Sequence, residues 1–149
     1  MARPSFGGPK FKHLRAAYRS GLEAALAAAL ALANIPVLFE TLKVPFTQPE
    51  KKRHYTPDFL LPNGILIETK GLFAAEDRQK HLWVRAQHPD LDIRFVFSNA
   101  KAKLNKGSPT TYADWCDKHG LKWSHKIIDP TWLTEASCEA RSRAVASLG

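Results

Sequence analysis

The chain has 149 residues, enough for one domain with a real core and too few for two. Its 44% hydrophobic and 24% charged content excludes an intrinsically disordered chain, and two cysteines are too few for a disulfide scaffold or a cysteine-rich zinc fold. The 22 Lys and Arg against 14 Asp and Glu leave a charge of +8, which favours a polyanionic partner because each neutralised phosphate releases a condensed counterion.

Residues 1–17 carry Gly, Pro and basic side chains with no apolar period and read as a flexible basic arm. The arm and the Ala-rich stretch 24–33 together resemble a secretory signal. The basic part is overlong, however, and Glu23 borders the apolar run, so a reduced, cytoplasmic setting is expected. No apolar run reaches the length of a membrane span. Ser20 and Glu23 fit the S-x-x-E capping box, and the Ala/Leu run that follows is strongly helix-forming until Asn34-Ile35-Pro36 stops it. Its nearly uncharged surface suggests a helix buried on several sides.

Residues 37–44 read as a strand, followed by an extended stretch between Pro45 and Tyr55. Two further strands, 56–61 and 65–70, are joined through Pro62-Asn63-Gly64, whose Asn-Gly pair tolerates the positive φ of a tight hairpin. Residues 74–88 have helical spacing closed by Pro89, 92–97 form a short apolar strand, and a helix runs from about 109 to Gly120. A short strand and a turn around Pro130 follow, and residues 136–149 show no anchoring pattern and read as a weakly ordered tail. The order α-β-β-β-α-β-α is that of a mixed α/β domain over residues 18–135.

The chemistry concentrates on Asp58, Glu68 and Lys70. The hairpin returns the second strand alongside the first, so Asp58 and Glu68 fall side by side at one end of a sheet. Glu68 and Lys70, two apart on a strand, point to one face. Carboxylate oxygens suit Mg²⁺, which polarises a phosphodiester and lowers the pKa of a bound water, while a lysine can orient that water or offset charge on phosphorus. Solvated strand faces often carry the same residues, but the apolar runs 59–61 and 65–67 put these charges near a core, where idle carboxylates are costly. Gly71, just after Lys70, permits a close backbone approach.

Spacing leaves Glu23 open between a helix cap and a ligand. Lys51, Lys52 and Arg53, just ahead of Asp58, favour phosphate contact, and Lys101, Lys103 and Lys106 offer a second basic tract. The tryptophans read as core, Cys116 as a buried free thiol, and the six histidines show no ligand spacing.

Longer blocks carry a family resemblance: YRSGLE (18–23), KVPF (43–46), YTPDFLLPNG (55–64), ETKGL (68–72), KHL (80–82), QHP (87–89), LDIR (91–94), KGSPT (106–110) and KHG (118–120). In order and spacing the chain resembles the phage endonuclease I family, Holliday-junction-resolving enzymes of the PD-(D/E)xK type from podophages. The resemblance implies a restriction-endonuclease-like fold and a catalytic set of Glu23, Asp58, Glu68 and Lys70. It implies two Mg²⁺ or Mn²⁺ ions per site held by Asp58, Glu68, the Thr69 carbonyl and Glu23, with no small-molecule cofactor.

The resemblance also implies an intertwined homodimer acting on branched DNA. Residues 45–55 would form an extended bridge between swapped halves, and the helix glutamate would complete the partner's site. DNA contacts are expected at Lys12, Arg15, Arg19, Lys51, Lys52, Arg53, Lys103 and Lys106. The rival readings are a sequence-specific restriction-type nuclease on the same fold and a non-catalytic junction-binding protein.

Overall fold

The structure, a computed structural model of the single chain, describes residues 20–48 and 51–149. Helix α1 (Gly21–Leu32) begins where expected, with the Ser20 hydroxyl accepting from the Glu23 amide at 3.1 Å. It ends in a left-handed cap. Asn34 has φ 55°, its amide bonds to the Ala31 carbonyl and the Ile35 amide to the Leu30 carbonyl, satisfying carbonyls the helix leaves open before Pro36.

Burial on α1 is confined to Glu23, Leu26 and Leu30, one stripe at helical spacing. The expectation of burial on several sides does not hold within the single chain: Leu32 is 47% exposed, and Ala25, Ala29 and Ala31 face outward. Alanine favours the helix for its backbone whether or not it is covered, so the Ala run speaks for helicity and not for burial.

Residues 37–44 are not one strand. Strand β1 (Leu38–Phe39) stops at Glu40, which takes a left-handed φ of 49°, and β2 (Val44–Gln48) starts anew. β2 pairs antiparallel with β3 (Lys51–Tyr55), so within one chain the stretch expected to bridge two subunits is folded back as a two-stranded hairpin. The helix α2 (Ala75–Gln87) grips its edge. Gln87 accepts from the Thr47 amide at 2.6 Å and donates to the Thr47 carbonyl at 2.8 Å, while His88 Nε2 meets the Pro45 carbonyl.

The main sheet has five strands in the order β1-β4-β5-β6-β7, with β4 (Phe59–Leu60), β5 (Leu66–Lys70), β6 (Ile93–Phe97) and β7 (Trp123–His125). β1, β4 and β5 are antiparallel neighbours; β5, β6 and β7 run parallel. The β4–β5 hairpin closes through Leu61 to Ile65. The Gly64 amide bonds the Leu61 carbonyl and only Gly64, at φ 89°, is left-handed, which fits a three-residue loop in place of a two-residue Asn-Gly turn. Asn63 is used otherwise: its side-chain amide donates to the Trp132 and Glu135 carbonyls at 2.8 and 3.0 Å.

Alternation along β5 and β6 divides two cores. Leu66, Ile93, Phe95 and Phe97 face a layer with Phe73, Val84, the β2–β3 hairpin and α3 (Tyr112–Lys118), whose Thr111 and Asp114 form a capping box. Ile67 and Val96 face α1 and Trp132 of α4 (Pro130–Thr134). Trp115 and Trp132 are buried and Trp83 and Trp123 pack against core, as expected of core tryptophans. Cys116 is a buried free thiol pushed up to about 12, first by burial and then by Asp117.

Residues 136–149, where composition offers no anchor, contain helix α5 (Glu139–Ala146). Arg141 fixes it, donating to Glu135 at 2.8 Å and to the Asn63 carbonyl at 3.1 Å. Arg94, 1% exposed near the start of β6, completes the junction with forked bonds to Asp92 and Glu135. Its hydrogen bonds hold the Glu135 carboxyl down at about 2. A buried guanidinium is tolerated only with such pairing. No helix among the described residues is long and apolar enough to cross a membrane.

Candidate active site

Glu68 and Lys70 lie on the same side of β5, as two-residue spacing requires, with Lys70 Nζ 3.5 Å from Glu68 Oε2 and 3.4 Å from Asp77. Asp58 precedes β4 and faces them across the hairpin. Thr69, on the opposite side of β5 by alternation, nevertheless reaches Asp58: its amide and its hydroxyl both donate to Asp58 Oδ2, each at 2.8 Å. One carboxylate oxygen is thereby fixed, and the Asp58 side chain has a single orientation. The resemblance implies only a carbonyl role for Thr69, and these bonds to Asp58 have no signature in the sequence.

Glu23 arrives from the other layer. It continues the Leu26–Leu30 stripe of α1 by one turn, so the packing that buries those leucines carries its carboxylate to the sheet end. The helix-cap and ligand readings of this segment are compatible in space. Ser20 caps the Glu23 amide, while the Glu23 carboxylate gathers with Asp58 and Glu40, ligand atoms of all three lying within 4.8 Å of one another. Glu23, Asp58, Glu68, Thr69 and Lys70 line one cleft of about 420 Å³, together with His54, Tyr55, Thr56 and Lys80.

Burial sets the electrostatics. Asp58 is pushed from 3.8 up to about 7, first by burial and next by the Glu68 charge, against the opposing Thr69 hydrogen bonds. Burial also raises Glu68, against the pull of Lys70 and Lys80. Among the described residues, three buried side-chain polar atoms lack a hydrogen-bond partner: Glu68 Oε1, the Tyr55 hydroxyl and His81 Nε2. All three gather at Glu68. His81 Nε2 is 3.6 Å from Glu68 Oε2, and Tyr55 packs edge-on against the His81 ring. Burial holds His81 well below its ordinary value, so a neutral imidazole sits beside the acid.

This donor set fits a hard divalent cation. It is all carboxylate oxygen, it is buried where uncompensated charge is costly, and it leaves Glu68 Oε1 without a partner in the cleft. Glu40, His81, Tyr55 and Lys80 were not singled out from sequence. Glu40 was hidden inside an apparent strand, and no spacing rule places His81 of a helix behind Glu68 of a strand.

The expected DNA-contacting residues are divided. Lys51, Lys52 and Arg53 are exposed along β3. Lys103 and Lys106 are exposed in the loop after β6, which leaves the sheet at the same edge as Lys70, since Lys70 pairs with Phe97. Lys12, Arg15 and Arg19 fall outside the described residues. The site residues come together from one chain in this structure, Glu23 included.

Comparison with known proteins agrees with the geometry. The family model described as "Phage endonuclease I" matches residues 5–148. The chain is 51% identical to Endonuclease I of Escherichia phage T7 over 123 residues, covering 83% of each protein. It is 50% identical to Endodeoxyribonuclease 1 of Enterobacteria phage T3 over 123 residues, covering 83% of this chain and 81% of that one. A model match over nearly the whole length, with two relatives at half identity, settles membership: the chain belongs to the phage endonuclease I family.

Proposed function

We propose that this chain is a structure-selective endodeoxyribonuclease that resolves four-way junctions and other branched DNA by paired, Mg²⁺- or Mn²⁺-dependent hydrolysis of phosphodiesters. One observation carries the reading: Glu23, Asp58, Glu68 and Lys70 converge on one cleft of hard oxygen donors in a chain of this family. Asp58, Glu68, Glu23 and the Thr69 carbonyl would hold the metal. When bound, such an ion supplies Lewis-acid polarisation of the phosphate and a more acidic water.

The residues of the chain do the rest. Thr69 keeps Asp58 in a single rotamer, so that no reorganisation is needed when substrate arrives. Lys70, only partly exposed and already beside Glu68, offers an ammonium at the face where a scissile phosphate enters. Exposed Lys51, Lys52 and Arg53 on β3, and Lys103 and Lys106 beyond β6, would take backbone phosphates of the arms. Recognition through phosphates reads the shape of a branch point and not its sequence.

Junction resolution needs two nicks in symmetry-related strands, which a two-fold dimer provides. The outward Ala/Leu face of α1 and the 52% exposed Leu38 support a dimer, as surface that a second copy would cover. Opening the β2–β3 hairpin would convert it into the bridge of a swapped pair. Glu23 and Glu40 lie before the hairpin and Asp58, Glu68 and Lys70 after it, so the first two would then complete the partner's site. Refolding an equimolar mixture of the inactive variants Glu23→Gln and Glu68→Gln distinguishes the arrangements. A swapped heterodimer contains one fully wild-type site and recovers nicking; an unswapped one has a defect in each site and stays inactive.

The function itself is tested with a supercoiled plasmid extruding a cruciform, incubated with Mg²⁺, with Ca²⁺ and with chelator. Linearisation at the cruciform with Mg²⁺ alone is the expected result. Cutting of linear duplex at a fixed sequence would indicate a restriction-type nuclease, and a junction gel shift with intact DNA in every lane would indicate a binding protein.

A further inference from the structure

We infer that Glu40 is a further metal ligand of the site, closing the side of the cleft formed by Glu23 and Asp58. The inference rests on the metal-dependent reading above and extends it by one residue. Pairing of β1 with β4 sets Phe39 opposite Phe59, so the next residue, Glu40, falls beside Asp58 at the end of the ladder. The Glu40 amide donates to the Asp58 carbonyl at 3.1 Å, tying the two backbones together. The left-handed turn at Glu40, φ 49°, ends β1 there and separates it from β2.

The result is an unusual concentration of like charge. Carboxylate oxygens of Glu23, Glu40 and Asp58 lie within 4.8 Å of one another, with Glu23 7% and Asp58 5% exposed. Like charges set opposite each other across a strand pair are destabilising, and burial makes the cost larger. A second observation, independent of the cluster, points to a ligand. Glu68, 4% exposed and lining the cleft shared by Glu23 and Asp58, has one oxygen with no hydrogen-bond partner. Glu23 and Asp58 line that cleft and hold Glu40 beside it, so the oxygens of all four acids are grouped around one end of the sheet, and a hard cation is the ligand such a set of oxygens suits.

A left-handed glutamate is also an uncommon backbone choice, since side chains other than Gly, Asn and Asp seldom occupy that region. Gly at this position would be easier for the chain and would lose the carboxylate. That difference makes the test. Metal-stripped wild type, Glu40→Gln, Glu40→Gly and a control, Asp58→Asn, are titrated with Mn²⁺ by calorimetry, and each is melted in chelator. Both Glu40 variants should bind Mn²⁺ at least about tenfold more weakly than wild type. Glu40→Gly should melt in chelator at or above the wild-type temperature, which shows that the loss is one of ligand and not of fold. Isotherms of both variants superimposing on wild type, while Asp58→Asn is weakened, would overturn the role of Glu40 and leave the metal site standing. Wild type that takes up no Mn²⁺ would overturn the metal-dependent reading and Glu40 with it.

Discussion

Glu68→Gln will cut a junction at least about a thousandfold more slowly than wild type and bind it with nearly unchanged affinity in Ca²⁺ or chelator. Such a loss is about 4 kcal/mol of transition-state stabilisation, the scale on which preorganised charge acts in a water-poor site. The substitution keeps the shape of a side chain that is 4% exposed and removes only its charge. Lys70 Nζ, 3.5 Å from Glu68 Oε2, loses its acid partner on β5, and the cleft loses one of the charged oxygens proposed to hold the metal. Binding should be spared because the basic residues proposed to meet phosphate, Lys51, Lys52, Arg53, Lys103 and Lys106, do not line the cleft. Single-turnover rates on a four-way junction, with affinities by gel shift, check both halves. If binding and melting temperature fall together with rate, Glu68 is a structural residue and its catalytic assignment fails.

Local chemistry was readable where neighbours in sequence are neighbours in space. The Ser20 cap, the hairpin around Gly64 and the shared face of Glu68 and Lys70 each follow from spacings of a few residues. The hairpin alone was enough to pair Asp58 with Glu68. Glu23 was harder. Spacing alone left it between a helix cap and a ligand; the resemblance implies its place in the site, and the packing of Leu26 and Leu30 onto the sheet is what carries its carboxylate to the cleft.

What was not readable depends on contacts between distant segments or on backbone choices without a residue signature. Glu40 breaks an apparent strand by turning left-handed, and no Gly or Asn marks the place. The tail gains its helix from Arg141, which meets Glu135 and the Asn63 carbonyl. Those bonds, with Arg94 reaching Glu135 across 41 positions, make an ion network that composition cannot reveal. The resemblance supplied a bridge for residues 45–55. Within the single chain the same strands pair with each other as an antiparallel hairpin, a long-range backbone choice that carries no residue signature.

The second large effect follows from the buried acid pair. Metal-free wild type will be less stable at pH 8 than Asp58→Asn, and the difference will vanish towards pH 4. Asp58 titrates near 3.9 in an unfolded chain and at about 7 in the fold. Between those values the folded state keeps a proton that the unfolded state has released. Stability therefore falls as pH rises through this window and levels off above about 7, by up to about 4 kcal/mol. His81 acts in the opposite sense, because burial lowers it and the unfolded chain takes up its proton first as pH falls. The comparison with Asp58→Asn cancels that contribution, as His81 is present in both. Asparagine still accepts from Thr69, so the fold loses a charge and keeps its bonds. Melting curves in chelator should separate by several degrees at pH 8, with the variant higher. Added Ca²⁺ should raise wild type at pH 8 and leave the variant nearly unmoved, because a cation competes with the proton for the same oxygens. Curves that stay parallel from pH 4 to 8, with no separate response to Ca²⁺, would mean that Asp58 is solvated in solution and that the cleft does not store charge for a metal.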